Sequence, residues 1–177
     1  VENPCFSCRV EPLAIDGIRG VGYLRGPLKS AIYRFKYRQK RKLALPLADL
    51  MYQYLLENPL PADFIVPVPL YMDRLRERGY NQAALLAREL SERSRLPVEE
   101  ESLVRIKETV PQVALKADER RKNVKGAFRS QGEKIKDRQI LLIDDVSTTG
   151  ATLVACAEAL REKGARSVWA LVLAREV

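Results

Sequence analysis

Histidine is absent from all 177 residues, and that absence closes off whole classes of mechanism. A Ser-His-Asp hydrolase, a Cys-His nucleophile pair and the histidine-built catalytic zinc centres each need an imidazole as base or ligand. Any chemistry must therefore rest on carboxylates, hydroxyls, backbone amides, Lys, Arg and a metal ion. Long apolar runs are absent too. Nothing approaches the roughly 18 apolar residues of a membrane span, and the opening VENPCFSCRV has neither the basic region nor the apolar core of a signal peptide. The cytoplasm is the expected compartment. The length and a hydrophobic content of 46% suit one well-cored domain with an appendage.

Negative charge is absent from one segment. Between Gly17 and Ala48 there is no Asp or Glu, while Arg19, Arg25, Lys29, Arg34, Lys36, Arg38, Lys40, Arg41 and Lys42 supply cations. This segment accounts for the net charge of +8. Within it AIYRFKYRQKRK interleaves Tyr33, Phe35 and Tyr37 with the cations, which suits a polyanion with exposed bases through phosphate contacts and ring stacking. Arg34, Lys36, Arg38, Lys40, Arg41 and Lys42 are the candidate nucleic-acid contacts. A solvated amphipathic helix burying Ile32 and Phe35 explains the same pattern.

Periodicity organises the rest. AIYRFKYR, ALPLADLMYQYLLEN and NQAALLARELSERSR read as amphipathic helices. FIVPVPL, QILLIDD and SVWALVLA are short apolar runs without alternation, as expected of strands buried on both faces of a parallel sheet. The last two flank TGATLVACAEALREKGA, so Gln139 to Ala174 reads as a βαβ unit whose helix ends near Gly164. Cys156 falls inside that helix and reads as a small buried residue. The middle stretch RIKETVPQVALKADERRKNVKGAF is basic and weakly periodic, as an active-site loop or hood would be.

The stretch ILLIDDVSTTGATL concentrates the chemistry. Asp144 and Asp145 are expected at the exposed carboxyl end of a buried strand, where α/β sheets gather ligands. The next helix then offers unpaired N–H groups, Gly150 allows close approach, and Ser147, Thr148, Thr149 and Thr152 add hydroxyls. Carboxylates beside a phosphate cradle would repel the phosphate unless a sugar lay between, its vicinal hydroxyls donating to the acids. A Walker P-loop needs Lys after its last glycine, and here Ala151 follows Gly150. Simple helix capping needs one hydroxyl, not four.

LLIDDVSTTGAT resembles the phosphoribosyl pyrophosphate (PRPP) motif of type I phosphoribosyltransferases. YLRGPLKSAIYRFKYRQKRKLA, FIVPVPLYMDRLRERGYNQAALLARELS, VPQVALKADERRKNVKGAF and GARSVWALVLAR resemble, in order and spacing, the ComF (competence protein F, GntX-like) family. The resemblance runs from about Val21 to Arg175. It implies an α/β fold: a type I phosphoribosyltransferase-like core of mostly parallel sheet flanked by helices, with a small hood. Residues 21–177 would form that domain, and residues 1–20 a Cys-containing appendage left from a zinc module.

The resemblance also implies roles. Asp144 and Asp145 would hold the ribose hydroxyls, help to place Mg²⁺ and carry any catalysis. Thr148, Thr149, Gly150 and Thr152 would bind the 5′-phosphate, with Ser147 and Ala151 also in the PRPP site. The loop reaching Asp73 and Arg74 takes the place of the pyrophosphate loop, with Arg78, Asn81 and Gln82 just beyond, and Arg120 and Asn123 match another signature. Cys5 and Cys8 would be half of a four-Cys Zn²⁺ site, which needs another pair before Val1; a redox or incidental pair is the other reading. The implied partners are PRPP, single-stranded DNA and the helicase or uptake proteins of natural competence. Phosphoribosyl transfer to a nitrogen acceptor is compatible with this, and a nucleotide-salvage transferase with no DNA role is the other reading.

Overall fold

The computed structural model describes residues 14–37, 40–108 and 123–176. Four strands form one sheet, β1 (Gly17–Tyr23), β2 (Phe64–Pro67), β5 (Gln139–Ser147) and β6 (Ser167–Arg175), in the order β1-β6-β5-β2. Every neighbouring pair is parallel. Two three-residue strands, β3 (Leu103–Arg105) and β4 (Phe128–Ser130), make a separate antiparallel ribbon. The helices are α1 (Gly26–Tyr37), α2 (Ala44–Glu57), α3 (Met72–Arg78), α4 (Gln82–Ser94) and α5 (Ala151–Glu162).

The apolar runs of β5 and β6 are continuous because the sheet is covered on both sides, and successive side chains go to opposite layers. Leu141, Ile143, Leu171 and Leu173 join Ile32 and Phe35 of α1, Leu47 and Met51 of α2, and Leu86 and Leu90 of α4. Ile140, Leu142, Ala170 and Val172 join Leu153, Cys156 and Leu160 of α5, with Leu103 and Phe128 of the ribbon packed beyond. The expected βαβ unit is present, and α5 ends where Gly164 donates to the Arg161 carbonyl at 2.9 Å.

The sheet begins earlier than the sequence led us to expect. β1 starts at Gly17, so residues assigned to the appendage belong to the core sheet. Its glycines are needed for close approach: a Cβ on Gly17 would lie 2.5 Å from the Trp169 ring, and one on Gly20 2.7 Å from the Arg175 side chain. Cys5 and Cys8 lie outside the described residues, as does most of the expected hood; its flanks are the β3–β4 ribbon.

Gly17→Val forces a branched side chain against the Trp169 ring. It should cost about 1–3 kcal/mol, a melting-temperature loss of roughly 3–10 °C, measurable by thermal denaturation.

Candidate functional site

β5 does not end before the acids. Its ladder with β6 continues through Asp144↔Val172, Val146↔Ala174 and Ser147↔Arg175. Asp144 and Asp145 are therefore strand residues rather than a free mouth, and they leave the sheet on opposite sides. Asp145 takes the side of Leu141 and Ile143, is 5% exposed, and meets the Lys36 ammonium of α1 at 2.8 Å. Asp144 takes the side of Ile140 and Leu142, facing α5 and the ribbon, where it interacts electrostatically with Arg105 and Cys156. One Asp144 oxygen, Oδ1, accepts from the Asp145 amide at 2.8 Å.

These placements set the local charge. Asp144 keeps a window to solvent but is otherwise enclosed by protein. Burial, reinforced by the Asp145 charge, raises its pKa to about 7 against the opposing pull of Lys36, the Asp145 amide and Arg105. At Lys36 burial works to lower the pKa, but Asp145 and then Asp144 overcome it, and the ammonium ends above its ordinary value. Burial lowers the Arg105 guanidinium, with the Arg74 charge adding to the effect. Burial pushes the Cys156 thiol well up, so this residue is an inert core thiol, as its sequence context suggested.

Beyond the acids the chain forms a cradle. Ser147 is buried, and among the described residues its hydroxyl has no hydrogen-bond partner. Gly150 precedes α5 in the left-handed region at φ +79°, and a Cβ there would lie 2.8 Å from Ile18 Cδ1. Glycine alone fits both constraints. No side chain caps α5 at that residue; the Ala151 amide donates only weakly to Thr149 Oγ1, at 3.4 Å. The hydroxyls are thus not consumed by capping, although Thr152 is already engaged.

The basic residues divide into two sets. Lys36, expected on a polyanion-facing surface, instead turns inward to Asp145. The signal was available: Lys36 follows Ile32 by four residues, on the flank of the helix stripe that buries Ile32 and Phe35. Arg41 donates to the Gly79 carbonyl at 2.9 Å and lies over the Tyr80 ring. Arg34, Lys40 and Lys42 are exposed; Arg38 and Arg120 lie outside the described residues. Tyr33 and Tyr37, 56% and 60% exposed, sit with ring centroids 5.0 Å apart.

Asp73 and Arg74 occupy the first turn of α3 rather than a loop, paired along that helix with Arg76 and Glu77. Arg78 donates to Gln82 Oε1 at 2.7 Å and lies over the Tyr37 ring. Asn81 ties two elements together: it caps α4 by accepting from the Ala83 amide and donates to the Val68 carbonyl. Asn123, just before the ribbon strand β4, is engaged within the protein. Arg105, missed in the sequence, is the ribbon residue that reaches the electrostatic field of Asp144. A cleft of about 380 Å³ lies between α3 and α4, lined by Leu70, Leu75, Tyr80 and Leu85, and does not include the acids.

Among the described residues no group of three His, Cys, Asp or Glu could hold a metal alone. Asp145 is already paired with Lys36 and leaves the strand on the face opposite Asp144; a Mg²⁺ would therefore draw on the Asp144 carboxylate, with ligand phosphates and water completing its shell.

The raised pKa of Asp144 makes a signed prediction. Above the ordinary carboxylate value the unfolded chain releases this proton while the folded chain holds it until about pH 7. Stability therefore falls as pH rises through that window. Asp144→Asn should melt higher than the parent at pH 8 and nearly equal to it at pH 4, by calorimetry at the two pH values.

Residues 38–176 match the phosphoribosyl transferase domain family. The chain is 35% identical over 179 residues to competence protein F of Haemophilus influenzae, covering 97% of this chain and 78% of that protein. It is 32% identical to competence protein ComFC of Bacillus subtilis, covering 99% and 73% respectively. It is also 32% identical to the DNA utilization protein YhgH of Salmonella typhi, covering 97% and 78%. Among solved structures, glutamine PRPP amidotransferase from B. subtilis, complexed with ADP and GMP, shares the fold with a TM-score of 0.51 at 17% identity, over 73% of this chain and 26% of that longer one. No helix among the described residues is long and apolar enough to cross a membrane. The parallel sheet, the acid pair leading into the Ser147–Thr152 cradle, and these relatives together make the chain a member of the phosphoribosyl transferase domain family, in its competence protein F branch.

Proposed function

We propose that this chain binds PRPP and works in the handling of single-stranded DNA during its uptake. One observation carries the reading: two acids at the carboxyl end of the central strand run directly into a hydroxyl-rich turn and the N-terminus of α5. The acids suit the ribose diol, and the Ser147 hydroxyl and the α5 amides suit the 5′-phosphate. Arg74 and Arg105, each within the other's electrostatic reach, suit the charge of a pyrophosphate beside them. Mg²⁺ held by Asp144 together with the ligand's own oxygens would supply charge neutralisation for that group when bound. The protein's own part is to orient the ribose and stabilise charge, which is what displacement at the anomeric carbon by a nitrogen nucleophile requires. No imidazole is needed for that.

The DNA role is favoured by a separate observation. The exposed Tyr33–Tyr37 pair shares α1 with the exposed Arg34, and the exposed Lys40 and Lys42 follow close in sequence, so this stretch offers ring faces and cations to a single strand. The names of the relatives, competence and DNA utilization proteins, agree with it.

With PRPP and Mg²⁺ at 100 times the dissociation constant, the fold should gain about 2.7 kcal/mol, a melting shift of roughly 5–10 °C. A flat response at millimolar PRPP would defeat the ligand assignment. Arg34→Gln, Lys40→Gln and Lys42→Gln combined should weaken single-stranded DNA binding for every sequence tested and reduce the slope of log K against log salt by up to about 0.7 per lost contact. Equal binding and equal slope would return the surface to a solvated helix face.

A further inference from the structure

Lys36, expected among the exposed cations, turns inward to the acid pair. Its ammonium, on a side chain 23% exposed, meets Asp145 Oδ1 at 2.8 Å, and Asp145 is more buried still. Among the described residues the Asp145 carboxylate has no other partner, so a single contact fixes its direction. The helix that delivers this contact is itself tied down: the Tyr80 hydroxyl donates to the Phe35 carbonyl, and Arg78 lies over the Tyr37 ring. Ile32 and Phe35 are buried beneath. An ammonium so held takes one carboxylate oxygen and leaves the other to accept from a ligand.

We propose that Lys36 is a positioning residue of the phosphoribosyl site, orienting Asp145 so that its second oxygen receives a ribose hydroxyl. The proposal rests on the PRPP reading above. Lys36 acts through Asp145 and does not itself touch the ligand. The residue belongs to the site and not to the DNA-facing surface, although it lies in the same basic stretch as Arg34 and Lys40.

A binding cycle tests it, with PRPP and Mg²⁺ as the probe and isothermal calorimetry well below the melting transition. Lys36→Met should lower PRPP affinity by about 10-fold or more, the worth of one charge-assisted hydrogen bond, and Lys36→Arg should keep most of it. In an Asp145→Asn background Lys36→Met should cost no further affinity, because the group it positions is already changed. Stability should follow the opposite pattern: each single neutral variant leaves a buried partner unpaired and melts lower, and the double variant recovers. Affinity that does not recover while stability does is what a merely structural ion pair would not produce. Unchanged affinity in folded Lys36→Met overturns the proposal, and so does a full additional loss in the Asp145→Asn background. If Lys36→Met does not fold, Lys36→Gln takes its place in the same cycle. Wild-type protein that fails to bind PRPP defeats the functional reading itself and this proposal with it. Wild-type binding with an indifferent Lys36 variant defeats this proposal alone.

Discussion

A strand covered on both faces must send successive side chains to opposite layers, and β5 carries that rule past its apolar half into Asp144 and Asp145. Everything distinctive about the site descends from this alternation. One acid is delivered to the α1 layer, where a partly buried ammonium answers it. The other goes to the α5 layer, where the Lys36 charge, the Asp145 amide and the partly buried Arg105 oppose its enclosure without overcoming it. Two neighbours of identical chemistry thus meet different surroundings from a difference of one residue in register.

The layers are also joined across sequence distance. The basic stretch that begins in α1 meets the α3–α4 turn through Arg41 on the Gly79 carbonyl, Tyr80 on the Phe35 carbonyl and Arg78 over Tyr37. Asn81 then ties α4 to the end of β2 at Val68. The RGYNQ motif is therefore a junction: it connects the surface that carries Tyr33 and Tyr37 to the strand end from which Asp73 and Arg74 follow. Arg78 and Asn81, candidates for ligand contact in the sequence, also serve as fastening of this kind.

What was legible in the sequence was what repeats locally. The β5-α5-β6 unit, its end at Gly164, and the helices α1, α2 and α4 announce themselves through apolar runs or 3.6-residue stripes. The cradle was legible because its parts are consecutive. β1 was hidden because its glycines interrupt any apolar run, while only the fold shows that Gly17 and Gly20 make room for Trp169 and Arg175. β3 and β4, three residues each, are too short to show a period. The Lys36–Asp145 pair joins residues more than a hundred positions apart, and only tertiary packing brings them together. The burial of Asp145 escaped for the same reason that any strand residue's face escapes when the strand's end is placed too early.

The contact between Gly17 and Trp169 has a spectroscopic consequence. Trp169 is the chain's single tryptophan, it packs against β1, and the Arg19 guanidinium lies over its ring at 5.1 Å. Intrinsic indole emission from this protein is therefore a local gauge, reading the docking of one edge strand and quenched or shifted by what happens to that edge. A fluorescence trace that moves before the far-ultraviolet dichroism reports β1 peeling away from a sheet that is otherwise intact.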